Sequence, residues 1–266
     1  AAMLMSANAQ LSHFPPSTWT CYNATAAEAA GKSNLALGHV GAEAISNGYM
    51  REPGAGNAAV GHRRWILYPQ TQFMSTGDAG TTGSTAAPLA NAVWVLDANY
   101  GRTRPTVRDD FVAWPVKGYT PYTVVFPRWS FSYPNADFST ATVTMTENGA
   151  ALPTRLETVT NGFGENTLVW LPGAYTDNMA WARPGADTVY QVTVGNVKVG
   201  GVTRSFTYSA TVFDPEQPAD EVATSTITGS SSITSGQVNT YTFAATTGAT
   251  SYRWRAATLA AYTLND

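Results

Sequence analysis

The sequence is poor in charge, cysteine and histidine, and each scarcity closes off a class of function. Charged residues make up 12% of its 266 positions, about half of the roughly 25% usual in globular chains. With 44% hydrophobic and 12% aromatic residues, it has the apolar content of a folded chain rather than a disordered one. A net charge of -3 and only 15 scattered Lys and Arg residues leave no basic field for a phosphate backbone, which excludes nucleic acid as the expected partner. Long apolar runs are lacking too. Ile66-Leu67-Tyr68 and Val93-Trp94-Val95-Leu96 fall far short of the roughly 20 residues that span a bilayer, so no transmembrane segment is expected. Cys21 stands alone, which rules out an internal disulfide and a cysteine zinc cluster, and it is expected to be a small buried hydrophobe.

Length predicts two domains and a fragment of a third. Residues 1–103 mix helical and strand-like patterns. Leu4, Ala7 and Leu11 recur at helical spacing, Ala24 to Ala30 reads as a helix stopped by Gly31, and a further helix is expected from Gly41 to Met50, ahead of Pro53-Gly54. The small residues from Gly54 to Gly61 predict a loop, and Trp65 to Tyr68 and Ala92 to Leu96 predict strands on either side of a flexible Gly77 to Ala87 segment. Over residues 104–214 the period becomes two. Runs at 122–126, 140–145, 167–170, 188–194 and 205–213 predict an antiparallel sandwich, with Gly200-Gly201 and Asn148-Gly149 as hairpin turns. Residues 215–223 read as a linker, and 224–266 as the opening of a further module similar to bacterial immunoglobulin-like or PKD-like repeats. The chain opens inside a helix, as a piece lacking its natural start would. Low charge with abundant Thr, Ser, Gly and Asn suggests an exported, extracellular bacterial protein.

Several motif fragments lack the context that their chemistry needs. Ala26 to Ser33 satisfies a relaxed phosphate-loop pattern, but its alanines favour helix over a glycine-rich turn. Gly162-Phe163-Gly164 is part of a dinucleotide fingerprint without the third glycine and reads better as a hairpin turn. Neither a Gly-x-Ser-x-Gly elbow nor a His-Glu-x-x-His helix occurs. Asp109-Asp110 lacks the alternating acidic spacing of a calcium loop.

The three histidines, His13, His39 and His62, all fall before residue 100. His13 follows the first helix, His62 sits in Gly61-His62-Arg63-Arg64, and Glu52 lies just ahead of the small-residue loop. Two imidazoles and a carboxylate can hold a divalent cation with water completing the shell, or shuttle protons at a polar substrate. Alternatively, each histidine caps a helix end or sits at the surface.

At these residues the chain resembles the CAP superfamily in its bacterial form. The matching elements run in family order: Leu11-Ser12-His13, Ala29 to Ala36 with Gly38, Asn47-Gly48-Tyr49-Met50, Pro53-Gly54, and Gly61-His62-Arg63 leading to Ile66-Leu67 and Pro69. The resemblance implies an α-β-α sandwich at the N-terminus, so the chain expected as a whole is α+β: that sandwich, then the all-β immunoglobulin-like sandwich of the period-two runs and a partial β module. It also implies a cleft lined by His13, Glu52 and His62, with Tyr49 replacing the tryptophan of the family's Trp-x-x-Glu element. Ser33 stands where the family usually carries a second acid. Loss of that charge weakens any cation held by His13 and His62, so zinc or a similar ion is expected to bind modestly. The implied function is extracellular binding or adhesion toward a small molecule, lipid or polymer, rather than catalysis. Two alternatives are a metal- or histidine-assisted hydrolase of peptides or polysaccharides, and carbohydrate binding by Trp114, Trp129, Trp170 and Trp181 of the sandwich.

Overall fold

The structure is a computed structural model in which residues 1–216, 227–229 and 240–243 are described. The chain divides into two compact units, Ala1–Asp214 and Pro215–Asp266. In the second, β14 (Ile227–Thr228) pairs antiparallel with β15 (Thr242–Phe243). The rest of the expected linker and module lies outside the described residues.

The first unit opens with α1 (Ala2–Asn8), which ends where Ala9 turns left-handed at φ 48°. Next, α2 (Ala24–Gly31) starts at Asn23, whose side chain accepts the Ala26 N–H at 2.8 Å and supplies a partner for one of the free amides of the first turn. Strand β1 (Ser33–Leu37) follows, then a short α3 (Gly41–Glu43) that continues as a π-helical segment, Ala44–Met50. A single 3-10 turn, Ala55–Asn57, precedes α4 (Gly61–Ile66). Strands β2 (Ser75–Ala79) and β3 (Ala90–Trp94) complete an antiparallel sheet in the order β1-β3-β2. Leu35, Ala90 and Ala92 pack with Leu4 and Met5 of α1. Val93 and Val95 pack with Tyr49, and Trp65 and Ile66 adjoin that cluster.

The second half of the unit is a two-sheet β-sandwich. One sheet has the order β10-β11-β6-β4, from β4 (Val112–Trp114), β6 (Trp129–Ser132), β10 (Thr154–Leu156) and β11 (Thr167–Pro172). The other runs β5-β13-β12-β8-β9, from β5 (Gly118–Pro121), β8 (Thr142–Glu147), β9 (Ala150–Leu152), β12 (Thr188–Val199) and β13 (Val202–Phe213). A two-residue strand, β7 (Ala136–Asp137), pairs with β12. All neighbours are antiparallel except β13 and β5, which run parallel. Trp129, Phe131, Leu168, Trp170, Val192 and Tyr208 share one core, and full burial of each such side chain contributes roughly 1.5–3 kcal/mol. The residue between Trp129 and Phe131 points the other way, because strand side chains alternate. It is Ser130, which meets Arg63 of α4. The opposite face of that sheet therefore carries the N-terminal half.

Several expectations require correction. The chain is mainly β, 17% helical against 33% strand, which overturns the expected α-β-α sandwich and the α+β class built on it. The physical reason is length: α1 and α2 span 7 and 8 residues, about 10–12 Å at 1.5 Å per residue. Such helices cover part of a sheet face and do not build the full helical layers that the sandwich requires. The expected strand at Trp65 to Tyr68 is instead the end of α4, since a four-residue apolar run does not distinguish the two periods. Tyr122–Val124 is a 3-10 turn rather than a strand. Cys21 is exposed, at φ 64°, and not buried. Both hairpin turns form: Asn148-Gly149 joins β8 to β9 and Gly200-Gly201 joins β12 to β13, all four residues at positive φ.

Candidate functional site

Where β1, α4 and the segment between β10 and β11 meet, a cavity of ≈ 380 Å³ is lined by His13, Ser33, His62, Trp65 and Phe163, among others. Among its lining residues there is no Asp or Glu.

His13 follows the Met5-anchored turn in which the Ser12 amide donates to the Met5 sulfur. Its Nδ1 lies 2.8 Å from the Ala30 carbonyl at the end of α2. A carbonyl only accepts, so Nδ1 carries the proton and the lone pair of a neutral ring sits on Nε2. His62 has a looser neighbour on the same nitrogen: its Nδ1 is 3.4 Å from Glu52 Oε2, and its ring centroid is 5.3 Å from that of Tyr49. Both imidazoles thus have Nδ1 facing an oxygen of the protein, and both line the cavity. An acceptor behind a histidine fixes its tautomer and ring orientation in the same way at metal sites.

Glu52 is 1% exposed and adopts the left-handed region at φ 52°, which turns the chain sharply after the π-helical segment. Its Oε1 accepts the Arg63 amide at 2.8 Å, and its carbonyl accepts from Arg128 at 2.7 Å. Arg63 is wholly buried. It donates to the carbonyls of Met50 and Arg128, both at 2.6 Å. Burial lowers the Arg63 guanidinium to about 10, against the pull of Glu52 and with a further push from Arg128. Arg64 is lowered to about 10 for the same leading reason. Both remain cations at neutral pH, so Glu52 is the buried counter-charge between them and His62.

Asn34 ties β1 to α4: its side-chain amide donates to the His62 carbonyl at 3.0 Å. The Tyr49 hydroxyl lies within hydrogen-bond reach of the Asn34 carbonyl and of Asn91 Oδ1, and burial raises its pKa well above the ordinary phenol value, with Asp78 adding to the shift. Tyr49 is therefore a neutral donor buttressing the His62 ring. At the far wall, Phe163 rests on Gly61, where an added Cβ would stand 2.9 Å from the ring. Phe14 projects at the rim, 91% exposed.

Of the residues singled out from the sequence, His13, Ser33 and His62 line the one cavity, and Glu52 stands behind His62 rather than in the lining. His39 lies elsewhere, 3.2 Å from Glu43. Among the described residues no group of three or more His, Cys, Asp or Glu side chains is placed to hold a metal ion. The nitrogen ligands that this lining offers are the two imidazoles of His13 and His62. Trp129, Trp170 and Trp181 belong to the sandwich core, Trp181 also lining a second cavity of ≈ 210 Å³, and Trp114 is half-buried with its indole N–H donating to the Val124 carbonyl at 3.1 Å. Sequence reasoning missed Phe163, Trp65 and Arg64. The Gly-Phe-Gly run and the Arg-Arg pair were visible, but their meeting across 100 positions was not.

Among the described residues no helix is long and apolar enough to cross a membrane. No protein-family model matches the chain, and no curated protein matches it.

Proposed function

We propose that the first unit is an extracellular binding module whose ligand seats between His13 and His62. The observation that supports this most is the placement of the two rings: both line the same cavity, and the Nδ1 of each faces an oxygen of the protein, the Ala30 carbonyl for His13 and the Glu52 carboxylate for His62, which leaves Nε2 as the nitrogen for a ligand. In their neutral form those nitrogens accept a hydrogen bond from a hydroxyl or ammonium group, or ligate a divalent cation. Trp65, Val95, Leu96 and Phe163 add apolar surface, the mixture of a few convergent polar groups on an apolar lining that small-molecule sites use. The order of CAP-like elements in the sequence agrees with this use of His13, Glu52 and His62. With Ser33 in place of an acid, zinc or a similar cation is bound modestly, and an organic ligand bearing a donor group is the better occupant.

The test is histidine-selective NMR during titration with zinc and with a panel of small alcohols and amines. The Nε2 signals of His13 and His62 shift together with one ligand, and a His13→Ala, His62→Ala double variant abolishes its binding. Rings that respond to different ligands, or a double variant with unchanged affinity, refute the proposal.

A further inference from the structure

We infer that the segment 160–165, contributed by the β-sandwich, is the specificity wall of this cavity, and that Phe163 selects ligands with a phenol-type end group. The inference rests on the binding reading above and names the ligand class of that site.

Three contacts fix the wall. The Arg64 guanidinium donates to the Thr160 carbonyl at 2.7 Å and to the Glu165 carbonyl at 3.0 Å, and it stands 5.4 Å from the centre of the Phe163 ring. Gly164, at φ +55°, brings its backbone so near that a Cβ would be 2.9 Å from the Arg64 carbonyl oxygen. Gly61 leaves bare backbone under the ring of Phe163, where any side chain would collide. A ring set against the bare backbone of Gly61 and beside the buried Arg64 guanidinium has little room to move, and it is a fixed aromatic part of the cavity lining.

A phenol satisfies both ends of such a site. Its hydroxyl donates to a neutral imidazole Nε2, and its ring packs on Phe163 beside Trp65. A cavity of ≈ 380 Å³ takes one ring with a short substituent rather than a length of folded polymer. A saturated alcohol of the same size makes the same hydrogen bond but loses the aromatic pair.

The experiment measures the affinities of para-cresol and of methylcyclohexanol by ligand-observed NMR titration of the whole chain. The wild type prefers para-cresol by about five- to tenfold, the worth of one aromatic pair. Phe163→Leu removes the preference while Phe163→Tyr keeps it, and the amides of Thr160 and Glu165 stay as protected from hydrogen exchange in Phe163→Leu as in the wild type. Should Phe163→Leu fold poorly, Gly61→Ala displaces the ring with its chemistry unchanged and also erases the preference. A wild type without preference, a preference that survives Phe163→Leu, or no para-cresol binding up to its solubility overturns the inference. If the preference fails while the histidine double variant still abolishes binding of both alcohols, the cleft stands and only the wall falls. Unchanged binding in that double variant removes both.

Discussion

Replacing Glu52 by glutamine asks how much of the unit depends on one buried charge. The carboxylate accepts the Arg63 amide at 2.8 Å and faces His62 Nδ1 at 3.4 Å. It is also the acidic group whose field opposes the desolvation of both Arg63 and Arg64. Glutamine has the same shape and can still accept from the Arg63 amide through its carbonyl. It carries no charge, and its NH2 would meet the Nδ1–H of His62 donor to donor. Glu52 acts on the two guanidinia through its field and makes no direct ion pair with either, so the loss lies at or below the lower part of the roughly 3–5 kcal/mol that unpairing a buried charge costs. Arg63 keeps its bonds to the Met50 and Arg128 carbonyls, so the expected loss for Glu52→Gln is about 2–4 kcal/mol. Against a total of about 5–15 kcal/mol this is a large fraction. With m near about 3 kcal/mol/M, the urea midpoint falls by about 1 M with the slope unchanged. A loss below about 0.5 kcal/mol, within the range of ordinary surface substitutions, would refute the role of Glu52 as sole counter-charge and show that solvent reaches the arginines.

Other substitutions probe separate links. Gly164→Ala combines a positive φ with a close approach to the Arg64 carbonyl; it should cost about 1–3 kcal/mol and raise hydrogen exchange at 160–165, and an unchanged melting temperature would count against the clamp. Asn34→Ala leaves the His62 carbonyl without its β1 donor; about 1–3 kcal/mol is expected, with a shift of the His62 ring signals, whereas a ring left where it was would show that Asn34 positions nothing. Asp137 is held below the usual carboxylate range, chiefly by the Ser139 amide and then its hydroxyl. A depressed folded-state value means that its stabilisation is present above the unfolded carboxylate range and lost as pH falls through the folded value. Asp137→Asn should therefore flatten the decline of melting temperature below about pH 4, and an acid limb identical to the wild type would contradict that assignment.

Legibility followed the range of the interactions. The strands over 167–172, 188–199 and 202–213 were readable because period-two runs and Gly-Gly or Asn-Gly turns are local signals. The segment expected to be flexible, Gly77 to Ala87, takes in Gly77 to Ala79 of strand β2, whose Ser-Thr-Gly-Asp-Ala carries no apolar face. The strand forms by pairing with β3, and Asp78 accepts from Asn91 and from the Gly41 amide, contacts that local pattern does not contain. The helical layers failed for the complementary reason. The helix over Ala24–Gly31 stops where its glycine was expected to stop it, but spacing does not say how far the others run: the first ends early at Ala9, and the run from Gly41 passes into the π-helical segment after one turn.

The site divides along the same line. His13 and His62 could be named because histidine is rare in this chain, and Glu52 because it lies just ahead of the small-residue loop and matches the glutamate of the resembled family. Arg63 and Arg64 drew no attention as a pair of adjacent cations, yet adjacency on a helix sends them in different directions. Arg63 reaches the Arg128 carbonyl and Ser130 on β6, and Arg64 reaches Thr160 and Glu165 before β11. Two consecutive side chains on α4 thus bind two separate parts of the sandwich immediately after the residue that offers its imidazole to the cavity. A ligand that orders His62 therefore acts on the same short helix that joins the halves of the unit. Since anything that binds the folded form alone stabilises it, ligand binding at the cavity should protect the 160–165 amides along with those of α4. Protection confined to α4 would mean that the arginines hold the halves together without coupling them to the site.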